Sequence, residues 1–417
     1  MGRYSWAVGL EDQDMSDVDL SALEDPQNGV EANSIECAEA TSDLDTLQQD
    51  GEQLAGDTTQ LEEIAGAVES AEAEGGMDET AARVVDVAVE AIATRWGIRR
   101  NKIGLENFSG ANKSRGTSVA LESIVDTLKE MWQRFAAWVG EIVAKLKDFW
   151  LKYFNAGKSL QNRADKLEAR LNKGVGERSK DQIGGSWVEK LAINGTVSIK
   201  EVQAYAGKYA SNNKAVAALD KLLTSTKQAI ADGKTLDATI ADVTDCLGYG
   251  AKTTKSFKAA IPSEAKVYDA IAYPGGHYGI VYGTDTADTK SIGIKVIQVN
   301  EITGDKKLST PDTAAMYDAI KSIRQIGEAL EEAIKDFRPV NDHLAQLRDK
   351  AKSAADTLKD AQDTKRDAAR GSLRTANQAV SNFLAVKRVL SSCPLDAANG
   401  LVGYVQAGLA AYKPVKA

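Results

Sequence analysis

The sequence predicts a mainly α protein, with long amphipathic helices in an elongated bundle and a small antiparallel β-insert. Three observations carry that expectation. Apolar residues recur every three or four positions over long stretches, which places them on one helix face. Only seven prolines occur in 417 residues, so long helices can run uninterrupted. One segment, 266–302, is instead rich in Val, Ile and Tyr and punctuated by Gly and Pro, the composition of short paired strands.

The elements follow in order. Residues 8–75 are dominated by Asp, Glu, Ser, Gln and Ala, a composition that favours disorder in part. Within them, Leu44, Leu47, Leu54, Leu61, Ile64 and Val68 keep a helical rhythm over 41–74. A second helix is expected at 78–95 and a basic, glycine-containing loop at 98–117. From Ser118 the apolar positions from Leu121 to Phe154 are spaced by one, three or four residues, the face of one long helix; the spacing resumes at Leu160, Leu167 and Leu171. Glycines at 174, 176, 184 and 185 break the pattern, and INGTVSI (193–199) reads as a short strand around a turn. Shorter helices are expected at 200–210, 212–232 and 235–246, then the small sheet at 266–302 with tight turns. Two helices should follow: 311–337, ended or kinked by Pro339, and a charged one over 341–390. The uncharged 397–412 suits a tightly packed final helix more than a membrane span, given its length and glycines.

Charge divides the chain. Residues 1–90 hold 24 acids against Arg3 and Arg83 alone, a net of −22, whereas the whole chain is only −9. The remainder is therefore near +13. A basic body suits a polyanion and an acidic arm can mask it; the plainer alternative is a solvated acidic tail on an ordinary helical protein. Local basic groups are Arg95, Arg99, Arg100, Lys102, Lys113 and Arg115, then Lys252, Lys255 and Lys258, then Lys350, Lys352, Lys365 and Arg366. They accompany no helix-turn-helix, zinc-finger or RNA-binding signature, so any DNA contact should be non-specific and salt-sensitive.

Chemistry-bearing residues are sparse. Cys37, Cys246 and Cys393 are odd in number and far apart, which argues against a disulfide framework and for a reducing compartment. With His277 and His343 the only histidines, no metal or other cofactor is expected. The first residues lack a signal-peptide apolar core, Trp6 stands where a myristoylation pattern wants Ser or Thr, and no run of 18 strongly apolar residues occurs. The expectation is a soluble protein made in a cytoplasm. Cys246 as nucleophile with His277 as base is a hydrolase alternative, weakened by the Leu-Gly that follows the cysteine. NAGKS (155–159) lacks the first glycine of a phosphate loop, since Lys152 stands there.

The long helix packs seven aromatics, Trp132, Phe135, Trp138, Phe149, Trp150, Tyr153 and Phe154, into 23 residues, with Lys129, Arg134, Lys145, Lys147, Lys152 and Lys158 among the polar positions. Such a face either buries against the C-terminal helices, lies on a membrane, or meets a partner or another copy.

An acidic N-terminal region, an Ala-Leu-Glu-Ser step into a Trp- and Lys-rich helix, a Tyr- and Gly-rich β-segment and a long charged helix occur here in that order. This layout resembles the internal head proteins of phiKZ-like giant phages, best at 118–172 and 265–390. The resemblance implies a non-enzymatic virion protein, made in the host cytoplasm and located in the capsid interior. Its implied partners are packaged DNA, other head proteins or further copies of itself, a prohead protease, and a membrane on ejection. It also implies removal of an acidic propeptide by cutting after a small residue, any residue, then Glu. Matches here are Ala22-Leu23-Glu24, Ser34-Ile35-Glu36, Ala67-Val68-Glu69, Ser70-Ala71-Glu72, Ala88-Val89-Glu90, Ala120-Leu121-Glu122 and Ala329-Leu330-Glu331. The expected end point is Glu122, with earlier cuts such as that after Glu90. Residues 1–122 carry 26 acids and eight bases, which leaves a body near +9. The expected organisation is an acidic region 1–122, a helical domain 123–260, a β-segment 261–310 and a C-terminal helical hairpin with a terminal helix, 311–417. A membrane-active or channel-forming ejected protein, using 121–154 and 397–412, is the second functional alternative.

Overall fold

The computed structural model describes residues 29–99, 113–211, 214–231, 240–283, 292–299, 302, 306–357 and 363–413. Three helices come first: α1 (Gly29–Ala73), α2 (Glu79–Arg95) and α3 (Lys113–Asn172). The 60 residues of α3 span about 90 Å at 1.5 Å per residue. Its buried positions continue to Leu171, so the two expected segments are one helix. It also begins earlier than expected, inside the stretch read as a loop. Gly116 and Thr117 are buried there, and Thr117 Oγ1 accepts a hydrogen bond from Met77 N at 2.8 Å. Packing against the α1–α2 turn overrides the poor helix propensity of these residues. That turn is made by Gly75 and Gly76, both at positive φ, and Asp78 then caps α2 by accepting from Ala81 N.

The middle of the chain is built from small pieces. Strand β1 (Gln182–Gly184) precedes a 3-10 turn, Ser186–Leu191. The two-residue strands β2 (Ala192–Ile193) and β3 (Thr196–Val197) form a hairpin. Asn194 and Gly195 have φ of 55° and 81°, the left-handed pair that lets a two-residue hairpin follow strand twist. Helices α4 (Ile199–Ala210), α5 (Lys214–Ala231) and α6 (Ile240–Asp245) follow.

The sheet is antiparallel, ordered β4 (Ala251–Lys252), β5 (Lys266–Tyr273), β6 (His277–Gly283) and β7 (Ile292–Gln298); the last three fall in the expected 266–302, and β4 joins them from before it. The short β8 (Lys307–Ser309) pairs with β1. Two long helices close the chain, α7 (Thr313–Thr357) and α8 (Asp363–Ala410). The edge of β7 is met by a side chain of α8. Asn382 Oδ1 accepts from Ile294 N at 2.8 Å and its Nδ2 donates to Ile292 O at 3.1 Å, as a neighbouring strand would.

Two expectations about the C-terminal part are corrected. Helix α7 does not end at Pro339 but continues to Thr357, and the expected 341–390 helix is divided between α7 and α8. Residues 397–410 are not a separate helix but the end of α8, which passes through Pro394. Glycines of this uncharged stretch bring it against the body. A Cβ on Gly403 would lie 2.4 Å from Trp187, and one on Gly408 2.6 Å from Pro311.

Helix α7 runs antiparallel along α3. Tyr317 bonds Asn172, Arg324 pairs with Asp165 at 2.8 Å and with Glu168 at 2.7 Å, and Phe337 stacks on Trp150 at 4.1 Å. At their crossing the backbones almost touch. A Cβ on Gly157 would stand 2.7 Å from Gly327 O, and one on Gly327 2.9 Å from Gly157 O. Gly157 of NAGKS thus serves helix packing. A single apolar cluster links side chains from α1 to α8, across the sequence-derived boundaries. Residue 122 itself lies inside α3.

Candidate functional site beneath the acidic helix

Helix α1 carries twelve acidic and no basic side chains. Its buried positions are Cys37, Ala40, Leu44, Leu47, Gly51, Leu54, Thr58, Leu61, Ala65 and Val68, together with Asp57. Apart from Asp57, the steps alternate strictly between three and four, the seam of a coiled coil. The helix lies antiparallel along α3. Thr41 Oγ1 shares a hydrogen bond with Tyr153 Oη at 2.9 Å, Trp138 Nε1 donates to Leu47 O at 2.8 Å, and Ser118 Oγ donates to Glu72. Gly51 makes room for the Trp138 ring, which would lie 2.2 Å from a Cβ there.

Beside the seam, acids of α1 meet cations of the body. Asp43 is 3.5 Å from Lys145 of α3, Asp45 is 3.4 Å from Arg388 of α8, and Glu52 is 3.8 Å from Lys295 of β7. Lys152, one heptad beyond Lys145, has its pKa raised mainly by its hydrogen bond to Asp148, with Glu36 and Glu39 of α1 adding to it. Between α1 and α3 lies Lys387, 1 % exposed, with Nζ 3.7 Å from the centroid of the Phe149 ring. Burial holds its pKa well below the usual lysine value, and Asp45 only partly opposes this. Away from α3, Asp57 is enclosed by Arg95 and by Trp96, whose Nε1 donates at 2.8 Å.

The aromatic face is largely interior. Trp132, Phe135, Trp138, Phe149, Trp150 and Tyr153 are buried, and Phe154 is half-buried with Lys158 Nζ 5.0 Å from its ring. Of the expectations for this face, the structure realises burial, against α1 and α8 as well as α7. Among the described residues no helix is long and apolar enough to cross a membrane.

The expected processing residues sit in helices. Ala120 and Leu121 are buried and Glu122 is exposed on α3; on α2, Val89 is buried between half-buried Ala88 and Glu90. Ser70-Ala71-Glu72 lies at the end of α1, just before the Gly75–Gly76 turn. Ala22-Leu23-Glu24 falls outside the described residues, as do Arg100 and Lys102 of the basic loop.

Cys246 and His277 are engaged elsewhere. The Cys246 thiol donates to Asp242 O at 3.4 Å, and burial, then Asp245 and Asp242, push it up to about 12. A nucleophilic cysteine needs the opposite shift. His277 bonds Asp396 at 3.0 Å, and the same carboxylate is 3.7 Å from Lys190. His343 bonds Asp220 at 2.9 Å. In this arrangement burial opposes the thiolate that the hydrolase alternative needs, and His277 is held by Asp396. Among the described residues no group of His, Cys, Asp or Glu side chains is arranged to hold a metal ion.

The sequence matches the family model of the phiKZ-like phage internal head proteins over residues 39–412. The chain belongs to that family. Comparison with curated proteins and with solved structures found no match. An internal head protein is located inside the phage capsid. The family match begins within α1 and runs to the last residues of the fold, so it takes in the acidic helix together with the body that it covers.

The basic groups singled out from the sequence stay dispersed, several in local bonds such as Lys252–Asp269. The cations gathered beneath α1 are Lys145, Lys152, Lys295, Lys387 and Arg388. Only the first two stood out in the sequence, on the polar side of the aromatic helix. A signal for Lys387 and Arg388 is present in FLAVKRVL, where two cations interrupt an apolar run.

Proposed function

We propose that this internal head protein occupies the head interior as a structural, non-enzymatic component beside the packaged DNA. It associates with that DNA non-specifically and leaves with it on infection. It is made in the host cytoplasm with an acidic N-terminal region that a head protease removes, cutting after Glu122, with earlier cuts such as that after Glu90. The observation that carries this reading is the pairing of the all-acidic α1 with cations of the body at Lys145, Arg388 and Lys295. An acidic segment on those groups competes with phosphate for them, and its removal leaves a body of opposite charge.

The deciding measurement is the intact mass and N-terminal sequence of the protein from purified particles, beside a full-length recombinant control. A start at Ser123, or directly after another of the matching glutamates, supports maturation in the head. A chain that still starts at Met1 or Gly2 removes the propeptide and makes α1 a permanent element.

A further inference from the structure

Helix α1 and the body beneath it are built to different standards. Five of the ten alternating seam positions of α1 are small or polar: Cys37, Ala40, Gly51, Thr58 and Ala65. Each missing methylene forgoes about 0.8 kcal/mol of burial. The body has its own joints: the Trp150–Phe337 stack, the Gly157–Gly327 crossing and the paired strands. None of these joints uses α1.

Along the apolar seam α1 partly covers a row of cations: the side chains of Lys145, Lys295, Lys152 and Arg388 stay 38 %, 33 %, 24 % and 22 % exposed. Lys145 and Lys152 stand one heptad apart on α3, about 10 Å at 1.5 Å per residue. Lys387 and Arg388 approach from α8 and Lys295 from β7. Two ring donors join them, since the Trp138 N–H is held by Leu47 O and the Tyr153 hydroxyl by Thr41. Lysine, arginine and tyrosine side chains are among the donors that phosphate oxygens accept from. The cover is a long acidic helix of 45 residues. Duplex DNA is an acidic rod over such a length, since its persistence length is about 50 nm.

We infer that the face of α3, α8 and β7 beneath α1 is a binding surface for the phosphate backbone of duplex DNA, and that α1 occupies it as an acidic stand-in until it departs. This rests on the DNA-associated reading above and adds to it a surface, its residues and its occlusion.

The test uses the full chain with a recognition sequence for a site-specific protease inserted in the Gly75–Gly76 turn. After cutting, size exclusion follows release of the N-terminal fragment, and a random-sequence duplex is titrated at several salt concentrations. The fragment should leave. Duplex affinity should then rise about tenfold or more, and the salt slope should steepen by about 0.9 for each phosphate contacted. Lys145→Glu with Lys152→Glu, or Arg388→Glu, should reverse most of the gain, whereas the exposed Lys321→Glu should not. In the uncut chain, Asp43→Asn with Asp45→Asn should raise affinity more than Glu63→Gln with Glu74→Gln on exposed positions.

A fragment that stays bound after cutting overturns the inference. So does a fragment that leaves without a gain in affinity, or a gain that Lys321→Glu lowers as much as the α3 and α8 changes do. So does an equal response to the two uncut pairs. None of these results bears on the propeptide, which is judged by the N-terminus found in particles.

Discussion

The Tyr209 hydroxyl donates to the Leu390 carbonyl at 2.8 Å, and that carbonyl is the one Pro394 deprives of its helical donor. A proline within a helix lacks the N–H that would reach back four residues. At Pro339 the corresponding residue, Lys335, is exposed, so water can serve. At Pro394 the site is buried, and α4 supplies the missing donor from a tyrosine that also packs on Tyr205 and Tyr249.

Tyr209→Phe should therefore cost about 1–3 kcal/mol, the penalty for stranding a buried acceptor. Pro394→Ala restores an N–H to Leu390 O, so the same Tyr209→Phe change should cost less in that background. Urea unfolding of the four-member cycle measures this. Equal costs in both backgrounds would mean that the two sites are unconnected.

The α3–α7 crossing predicts opposite results for glycines in similar helices. Gly157→Val should destabilise by about 1–3 kcal/mol, because the added carbons meet the backbone of Gly327. Gly56→Ala in α1, where nothing lies within 4 Å of the new methyl, should stabilise by about 0.5–1 kcal/mol. Thermal unfolding of both variants checks the sign of each.

Lys387→Met should raise stability at neutral pH by on the order of 1–4 kcal/mol, since it removes an amine whose protonated form burial opposes, while Asp45 keeps Arg388. The pH dependence has a definite sign. Burial lowers the folded pKa of Lys387, so between that value and the unfolded 10.5 the unfolded chain binds the extra proton. Stability of the native chain should thus rise with pH relative to the methionine variant. Denaturant titrations from pH 6 to about 9 read the difference between the two proteins, in which the thiols, which ionise at about 8.5 in the unfolded chain, contribute equally and cancel. A constant difference would show that Lys387 is charged in both states.

Asn382→Leu keeps a side chain in place but removes both bonds to β7. It should cost about 1–3 kcal/mol and expose the N–H of Ile294 as an unpaired edge. Light scattering at rising concentration, beside urea unfolding, tests both effects. An edge that stays monomeric at unchanged stability would show that the amide is dispensable.

Long-period features were legible in the sequence and long-range ones were not. The aromatic helix, the β-segment and the INGT hairpin were read from local spacing, because side-chain periodicity and turn chemistry are properties of neighbouring residues. The seam of α1 was only half visible. Its leucines were seen, but Ala40, Gly51, Thr58 and Ala65 carry no apolar signature, and Ile64, which was counted, is only half-buried. Helix ends were misjudged at Pro339, where water can serve the freed carbonyl, and between 390 and 397, where Tyr209 supplies the donor that Pro394 lacks. The Asp45–Arg388, His277–Asp396 and Asn382–Ile294 contacts join residues that only the fold brings together, so no motif spacing announces them.

The position of Ala120-Leu121-Glu122 inside α3 also sets an order of events. A protease that takes its substrate as an extended strand needs about 3.3 Å per residue, whereas a helix offers 1.5 Å. A cut after Glu122 therefore requires the opening turns of α3 to be unwound, together with the Met77–Thr117 bond that anchors them. Processing at that position would act as a clock. It would record whether the protease arrived before α3 closed against the α1–α2 turn, and chains that folded first would carry their acidic arm into the particle uncut.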